Sequence, residues 1–224
     1  MPTDPAAPRL FLLSPAHCGG KRAELLLSER ARFPLAARLR AGEDVLLGEA
    51  FSFLSGLYFR GKLAYARRFA RPPGGMAGVQ VITPNRGILP AETPVGRKEL
   101  RDFGTVDIRA DEPRYRMPLW RDAARLAAVP GLEIVLLGSV ATGKYVDVLL
   151  DVVGERLLFP TDFVGRGDMS RGALLLRAAR EGRELAYEPI ATAVRRASRS
   201  RQGGPANDGA DGSSSARADS RESG

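Results

Sequence analysis

The segment Ser14–Ala23, which reads SPAHCGGKRA, places a thiol and an amine in one glycine-rich turn. Both groups become good nucleophiles when their surroundings lower their pKa values, so the segment suits attack on an electrophilic carbon. Lysine is scarce in this chain, because its 34 basic residues include only four lysines: Lys21, Lys62, Lys98 and Lys144. We therefore take Lys21 and Cys18 as candidate catalytic residues, with Ser14 and His17 beside the substrate. An inert cysteine in a tight turn is the alternative.

The segment 138–144, GSVATGK, resembles a phosphate-binding loop between a strand and a helix. Gly138, Gly143 and Lys144 match the pattern G-x-x-x-x-G-K-[ST], in which backbone N–H groups surround phosphates and a hydroxyl holds Mg²⁺. Tyr145 stands where the pattern requires Ser or Thr, so we do not expect hydrolysis of a nucleoside triphosphate. Two interpretations remain open. The segment is a tight turn with Lys144 exposed, or it binds one phosphate or carboxylate through Ser139, Thr142 and Lys144.

Three further segments carry polar groups next to predicted strands or helices. In TPNRGILP, Asn85 and Arg86 could read a base edge or hold a phosphate, although a bare turn explains them equally well. In FVGRGDMSRG, Arg166 and Asp168 could recognise an anion at a helix start or act as ordinary capping residues. Residues 107–122 mix proline with both charge signs, which predicts a long surface loop of the kind that often forms a lid.

These loops connect short apolar runs that alternate with helical patterns. The runs predict strands over 10–14, 45–47, 79–83, 133–137 and 156–159, with an edge strand over 184–190. Helical spacing predicts helices over 57–70, 119–129, 145–153 and 170–180. The alternation indicates a Rossmann-like three-layer α/β fold with a mostly parallel sheet, in a single domain over 1–190. Ligands bind at the carboxyl ends of such strands, so we expect the loops to meet in one cleft.

Residues 191–224 lose nearly all large apolar side chains and fill with Arg, Ser, Gly and Asp, which predicts a disordered tail. The formal charge of +8 and the pI near 10.2 suit binding to nucleic acid or another polyanion. A chain rich in Arg, Ala and Gly is also typical of a GC-rich genome. That origin explains the charge without any such partner.

One cysteine and one histidine limit the possible redox and metal chemistry. Cys18 cannot form an internal disulfide and His17 alone cannot build a zinc cluster, so we expect a cytoplasmic location, no metal site and no cofactor. The N-terminus lacks the basic start of a signal peptide, and no apolar run approaches the roughly 18 residues of a spanning helix. We therefore expect no membrane association.

Several short motifs resemble, in the same order, a widespread bacterial domain family of unknown function with an S-x-C-G-x-K opening. They are Ser14–Arg22 and the segments 55–70, 81–95, 134–150 and 157–179. The order is also distantly similar to the core domain of archaeosine synthase, which modifies a deazaguanine nitrile in transfer RNA through a lysine of the first loop. The resemblance implies that Lys21 is the nucleophile, that Cys18 is the cysteine before it, and that the likeness to a phosphate-binding loop is accidental.

We therefore predict an enzyme that acts on a nucleobase, nucleotide or nucleic-acid substrate, with base modification through Lys21. The alternative is a non-catalytic nucleic-acid-binding or stress-response accessory protein that contacts phosphates through its arginines and its tail. The enzyme predicts a closed cleft into which Lys21 and Lys144 both point. The binding protein predicts a basic stripe on the surface.

Overall fold

The computed structural model of this chain describes residues 7–140 and 143–192 and has an α/β fold. The predicted tail from residue 193 onward and Thr142 lie outside the described residues. Six strands form the main sheet: β1 (Arg9–Leu13), β3 (Val79–Ile82), β4 (Ile88–Pro90), β6 (Glu133–Leu137), β7 (Leu157–Pro160) and β8 (Tyr187–Pro189). The strands β2 (Val45–Leu46) and β5 (Pro94–Val95) pair separately as a small antiparallel sheet.

The main sheet has the strand order β4-β3-β1-β6-β7-β8 and is mostly parallel. The central strand β1 runs parallel to both β3 and β6, and β7 runs parallel to β6. Only the edge strands β4 and β8 pair antiparallel with their neighbours. Nearly every side chain of β1, β3 and β6 is buried, as expected for strands in the middle of a parallel sheet. The predicted α/β class with a mostly parallel sheet is therefore confirmed.

Eight α-helices lie among the described residues. They are α1 (Lys21–Leu27), α2 (Pro34–Arg40), α3 (Leu47–Ser55), α4 (Leu57–Phe69), α5 (Arg97–Phe103), α6 (Pro113–Ala127), α7 (Gly143–Val153) and α8 (Asp168–Glu181). Helix α4 contacts β1, β3 and α8, whereas α6 packs against α7. In the part of the chain that the structure covers, no helix has both the length and the apolar character needed to cross a bilayer.

The prediction of a long loop over 107–122 is wrong from Pro113 onward, where α6 begins. The Glu112 side chain accepts a hydrogen bond from the Arg114 N–H, and Pro113 takes the first helical position, where no N–H donor is needed. Tyr115 and Leu119 are buried at helical spacing and hold the helix on the core. Pro118 lies within the helix at the cost of one backbone hydrogen bond.

Candidate functional site

The chain reverses its path across the sheet between β1 and β6. From β1 it passes to β3 on one side and later returns to β6 on the other side. The Ser14 N–H donates to the Leu137 carbonyl at 3.0 Å, so the loops that follow β1 and β6 start side by side. Such a reversal in an open parallel sheet is where ligands commonly bind.

A cavity of about 530 Å³ opens at this point, within the size range of small-molecule sites. Its lining includes six residues that the sequence singled out: Ser14, His17, Cys18, Ser139, Lys144 and Asp168. Further walls come from α4 and from residues 103–104 and 106–109. Three of the predicted loops therefore contribute site residues to one cavity.

The expectation that Lys21 points into this cleft together with Lys144 is wrong. Lys21 is exposed and does not line the cavity. It is the first residue of α1, and this helix buries Ala23 and Leu26, so its apolar face turns Lys21 toward solvent. Because the Lys21 side chain is surrounded by solvent and lies outside the cavity, its position does not favour the reactivity expected of it.

Three other predicted residues also lie outside the cavity. Asn85 donates through Nδ2 to the Asp102 carbonyl, and Arg86 pairs with Glu99; both line a separate shallow groove. Arg166 is exposed and donates through Nε to the Asp162 carbonyl at 2.8 Å. Substrate binding by Asn85, Arg86 and Arg166 stays a prediction, but it would take place away from the cavity.

Two amines line the cavity, Lys144 and Lys62, and Lys62 is not among the site residues predicted from the sequence. Its side chain is only 1 % exposed, and Nζ donates to both the carbonyl and the hydroxyl of Ser14 at 2.9 Å. Nζ also lies 4.8 Å and 4.7 Å from the ring centroids of Tyr58 and Phe59. Burial lowers the pKa of Lys62 to about 7, while the negative charge of Asp168 acts in the opposite direction. A large fraction of this amine is therefore neutral at physiological pH.

Two glycines bring Asp168 close to Lys62. Helices α4 and α8 cross where Gly61 meets Gly172, and a Cβ added at Gly61 would lie 2.6 Å from the Gly172 carbonyl oxygen. This close approach sets the start of α8 beside the residues of α4 that line the cavity. The Asp168 carboxylate can therefore act on Lys62 electrostatically while its side chain stays 67 % exposed.

Cys18 lies in the cavity wall, but its environment suppresses its reactivity. The residue is 6 % exposed, and its Sγ donates to the Ala16 carbonyl at 3.4 Å. Burial raises the pKa of the thiol to about 12. Because the thiolate is the nucleophilic form, Cys18 in this state is a packed, neutral thiol.

Tyr145 explains the first glycine of the pattern that resembles a phosphate-binding loop, Gly138. Its hydroxyl accepts a hydrogen bond from the Ser139 N–H and donates to the Ser139 carbonyl, both at 2.8 Å. A Cβ at Gly138 would lie 2.7 Å from this hydroxyl and 2.8 Å from the Ser14 Cβ. Gly138 is thus required by the close approach of Tyr145 and Ser14. The phenol also occupies one of the backbone N–H groups that a phosphate would need.

Among the described residues, no group of three or more His, Cys, Asp and Glu side chains could hold a metal ion. No protein-family model, curated protein or solved structure matches the chain. The resemblance to the bacterial domain family and to archaeosine synthase therefore stays a prediction.

Proposed function

We propose that this chain is an enzyme acting on a nucleobase, nucleotide or nucleic-acid substrate, with Lys62 instead of Lys21 as the reacting amine. The observation that carries the proposal is the burial of Lys62 in the cavity between the ends of β1 and β6. Enzymes activate lysine for attack on an electrophile by desolvation of this kind. The proposal takes the fold to be Rossmann-like, with helices layered on both faces of the sheet.

Ser14 prepares the amine for this chemistry. Its carbonyl and hydroxyl oxygens both accept from Lys62 Nζ and fix the direction of the amine. When Lys62 is neutral, its lone pair is free to attack a carbon held in the cavity. Asp168, on the rim, can favour the return of a proton to the amine after reaction.

The composition of the cavity wall supports a heteroaromatic substrate. His17 supplies an exposed ring on which a base could stack, Lys144 supplies positive charge for a phosphate, and Arg109, which pairs with Asp111, lies in the same wall. A nucleotide combines a flat ring with a phosphate, so it would contact both the stacking surface and the positive charge of the cavity wall. The net charge of +8 favours the approach of such an anion.

Competitive lysine labelling tests this proposal, because the chain has only four lysines to map. We expect acetic anhydride at pH 7 to acetylate Lys62 at least as fast as the exposed Lys98, despite the burial of Lys62. Nucleoside monophosphates or a short oligonucleotide should slow labelling of Lys62 and leave Lys98 unchanged. Peptide mass spectrometry gives both rates. Labelling of Lys62 that none of these compounds slows would contradict the assignment of the substrate class.

One surface favours a second candidate function, the binding of single-stranded nucleic acid. Helix α6 exposes Trp120 and Met117, at 49 % and 61 %, next to the exposed Arg116 and Arg121. Exposed aromatic rings among arginines provide stacking and phosphate contacts for unpaired bases. Trp120 is the only tryptophan of the chain, so its fluorescence reports on this helix directly.

A titration with oligo(dT) separates this function from binding through other arginines. Binding on α6 should quench Trp120 fluorescence, and affinity should fall steeply as salt rises. Arg116→Ala should weaken binding, whereas Arg183→Ala, far along the chain from α6, serves as the matched control. Oligonucleotide binding without a change in Trp120 fluorescence would exclude α6 as the contact surface.

A further inference from the structure

The hydroxyl of Tyr58 is buried in the wall of the cavity without a hydrogen-bond partner. Tyr58 is 7 % exposed, lines the cavity, and its Oη accepts and donates no hydrogen bond. Arg171 lies close enough to lower the pKa of this hydroxyl, but its Nε and Nη2 donate to the Phe163 carbonyl, and none of its atoms forms a hydrogen bond of acceptable geometry with Tyr58 Oη. Buried hydroxyls in folded proteins nearly always have a partner, so this one calls for an explanation.

Packing alone does not require the hydroxyl. The ring of Tyr58 lies beneath Lys62 and packs near the ring of Phe163, with the two centroids 6.3 Å apart. Phenylalanine would supply the same ring without burying an unsatisfied polar atom. The hydroxyl therefore fits a partner that arrives from the cavity.

We propose that the Tyr58 hydroxyl donates a hydrogen bond to the carbonyl oxygen of the substrate whose carbon Lys62 attacks. Tyr58 and Lys62 are four residues apart on α4 and so lie on the same face of the helix. The inference rests on the proposed function and narrows its substrate class to nucleobases or nucleotides that carry a ring carbonyl.

The addition step is balanced without any further reagent. The lone pair of the neutral Lys62 amine forms the new N–C bond, and the π pair of the C=O bond moves to oxygen. Tyr58 transfers its proton to that oxygen, and the phenolate is reprotonated by the proton that the Lys62 nitrogen loses. The product is a carbinolamine, and the charge that develops on oxygen is stabilised by a donor already in place.

Tyr58 can act as a donor over the whole physiological range. Burial raises the pKa of its hydroxyl well above the ordinary value, and Arg171 opposes this shift only in part. The hydroxyl is therefore protonated wherever the Lys62 amine is neutral. The required pair of protonation states coexists from about pH 7 upward.

Tyr58→Phe and Tyr115→Phe form a matched pair for the test. The Tyr115 hydroxyl is also buried without a partner, but Tyr115 does not line the cavity. The full-length protein is treated with benzaldehyde and sodium cyanoborohydride, and trapping on Lys62 is followed by peptide mass spectrometry across pH 6–9. We expect Tyr58→Phe to slow trapping about tenfold or more, while the midpoint of the pH profile stays near 7. Tyr115→Phe should leave the rate unchanged.

Thermal unfolding completes the test. Both variants should unfold no earlier than the wild type, because each loses an unsatisfied hydroxyl. An unchanged trapping rate in Tyr58→Phe would overturn the role of Tyr58, as would a lowered thermal midpoint that marks the hydroxyl as structural. If trapping behaves as expected but nucleotides do not protect Lys62, the proposed function fails and the pairing of Tyr58 with Lys62 stands.

A second readout concerns the ring carbonyl itself. Uridine and guanosine monophosphates carry such a carbonyl, whereas adenosine monophosphate does not. A site built to donate to that oxygen should protect Lys62 better with the first two nucleotides, and Tyr58→Phe should erase the preference. Equal protection by all three nucleotides in the wild type would exclude the carbonyl contact.

Discussion

Replacing Lys62 with Met removes an amine whose cost of burial depends on pH. Burial lowers its pKa from 10.5 to about 7 in the folded state, whereas the unfolded chain keeps the ordinary value. Between these two pH values the unfolded state binds more protons than the folded state. The cost of burying Lys62 therefore falls as pH rises, and the free energy of unfolding of the wild type increases. The cost is fully present below about pH 7 and vanishes above about pH 10.5.

The size of this pH-dependent cost follows from the shift in the pKa of Lys62. A displacement from 10.5 to about 7 corresponds to about 5 kcal/mol across the window, or ~1.4 kcal/mol per pH unit, as an upper estimate. The substitution also removes the two hydrogen bonds from Lys62 to Ser14. Their loss costs about 1 kcal/mol for each bond and does not depend on pH. We therefore expect Lys62→Met to be less stable than the wild type near pH 10 and more stable near pH 7.

Urea unfolding of both proteins between pH 7 and 9.5 measures this difference. Other groups that titrate in the range, Cys18 among them, are common to both proteins and cancel in the subtraction. Lys98→Met, which removes an exposed amine, is the matched control for the same measurement. A flat difference for Lys62→Met would show that the pKa of Lys62 is not lowered, and the proposed chemistry would lose its basis.

Two further predictions concern the thiol and a turn. Cys18, with its pKa raised from 9.0 to about 12, should react with iodoacetamide at pH 8 roughly 1000-fold more slowly than an exposed thiol, and at the ordinary rate in urea. Gly87→Ala should cost about 2–5 kcal/mol in urea unfolding, because φ is +68° and a Cβ would collide with Asp122 Oδ2 and the Pro118 carbonyl. Gly75→Ala, at φ +77° with open space around it, should cost only about 1–2 kcal/mol, and equal losses would contradict the role of the collision.

The cavity could be located from the sequence because its position depends on strand order. Ser14 and Ser139 each follow a continuous apolar run, and the carboxyl ends of adjacent parallel strands must meet at one edge. Asp168 begins a helix after β7 and reaches the same cavity. These placements need only the order and direction of elements, which periodicity indicates well.

Lys62, the proposed reacting amine, could not be found in this way, because its environment depends on how two helices pack. Lys62 sits in the middle of α4, three residues after Phe59, where a long cationic side chain is normally solvated at the helix edge. One signal was present in the sequence: Lys62 shares the buried face of Phe59 and Ala66. The close packing of α8 against α4 at Gly172 completes the burial of Lys62. Only the three-dimensional structure shows this packing.

The helix predicted over 119–129 covers most of α6, but the start of α6 at Pro113 was missed for a different reason. Pro113 and Pro118 indicate breaks in a charged segment. The charged residues around them show no helical periodicity that would indicate a helix despite the prolines. The helix forms because Tyr115, Leu119 and the buried Asp122 fall on one side of it. Asp122 accepts a hydrogen bond from the Ile88 N–H, so the helix is tied to the start of β4 by a contact between distant parts of the chain.

The chemistry proposed for Lys62 gives a reason for its burial that packing alone does not supply. At neutral pH its burial opposes folding, and the contacts with Ser14 and with two aromatic rings offset that cost only in part, since its pKa remains low. An apolar side chain would fill the position at lower cost. Arginine, the usual cation of this chain, would stay charged there because its pKa lies far above neutrality. Among the cationic residues, lysine alone can become a neutral nucleophile in this environment, and that property requires the burial that destabilises the fold.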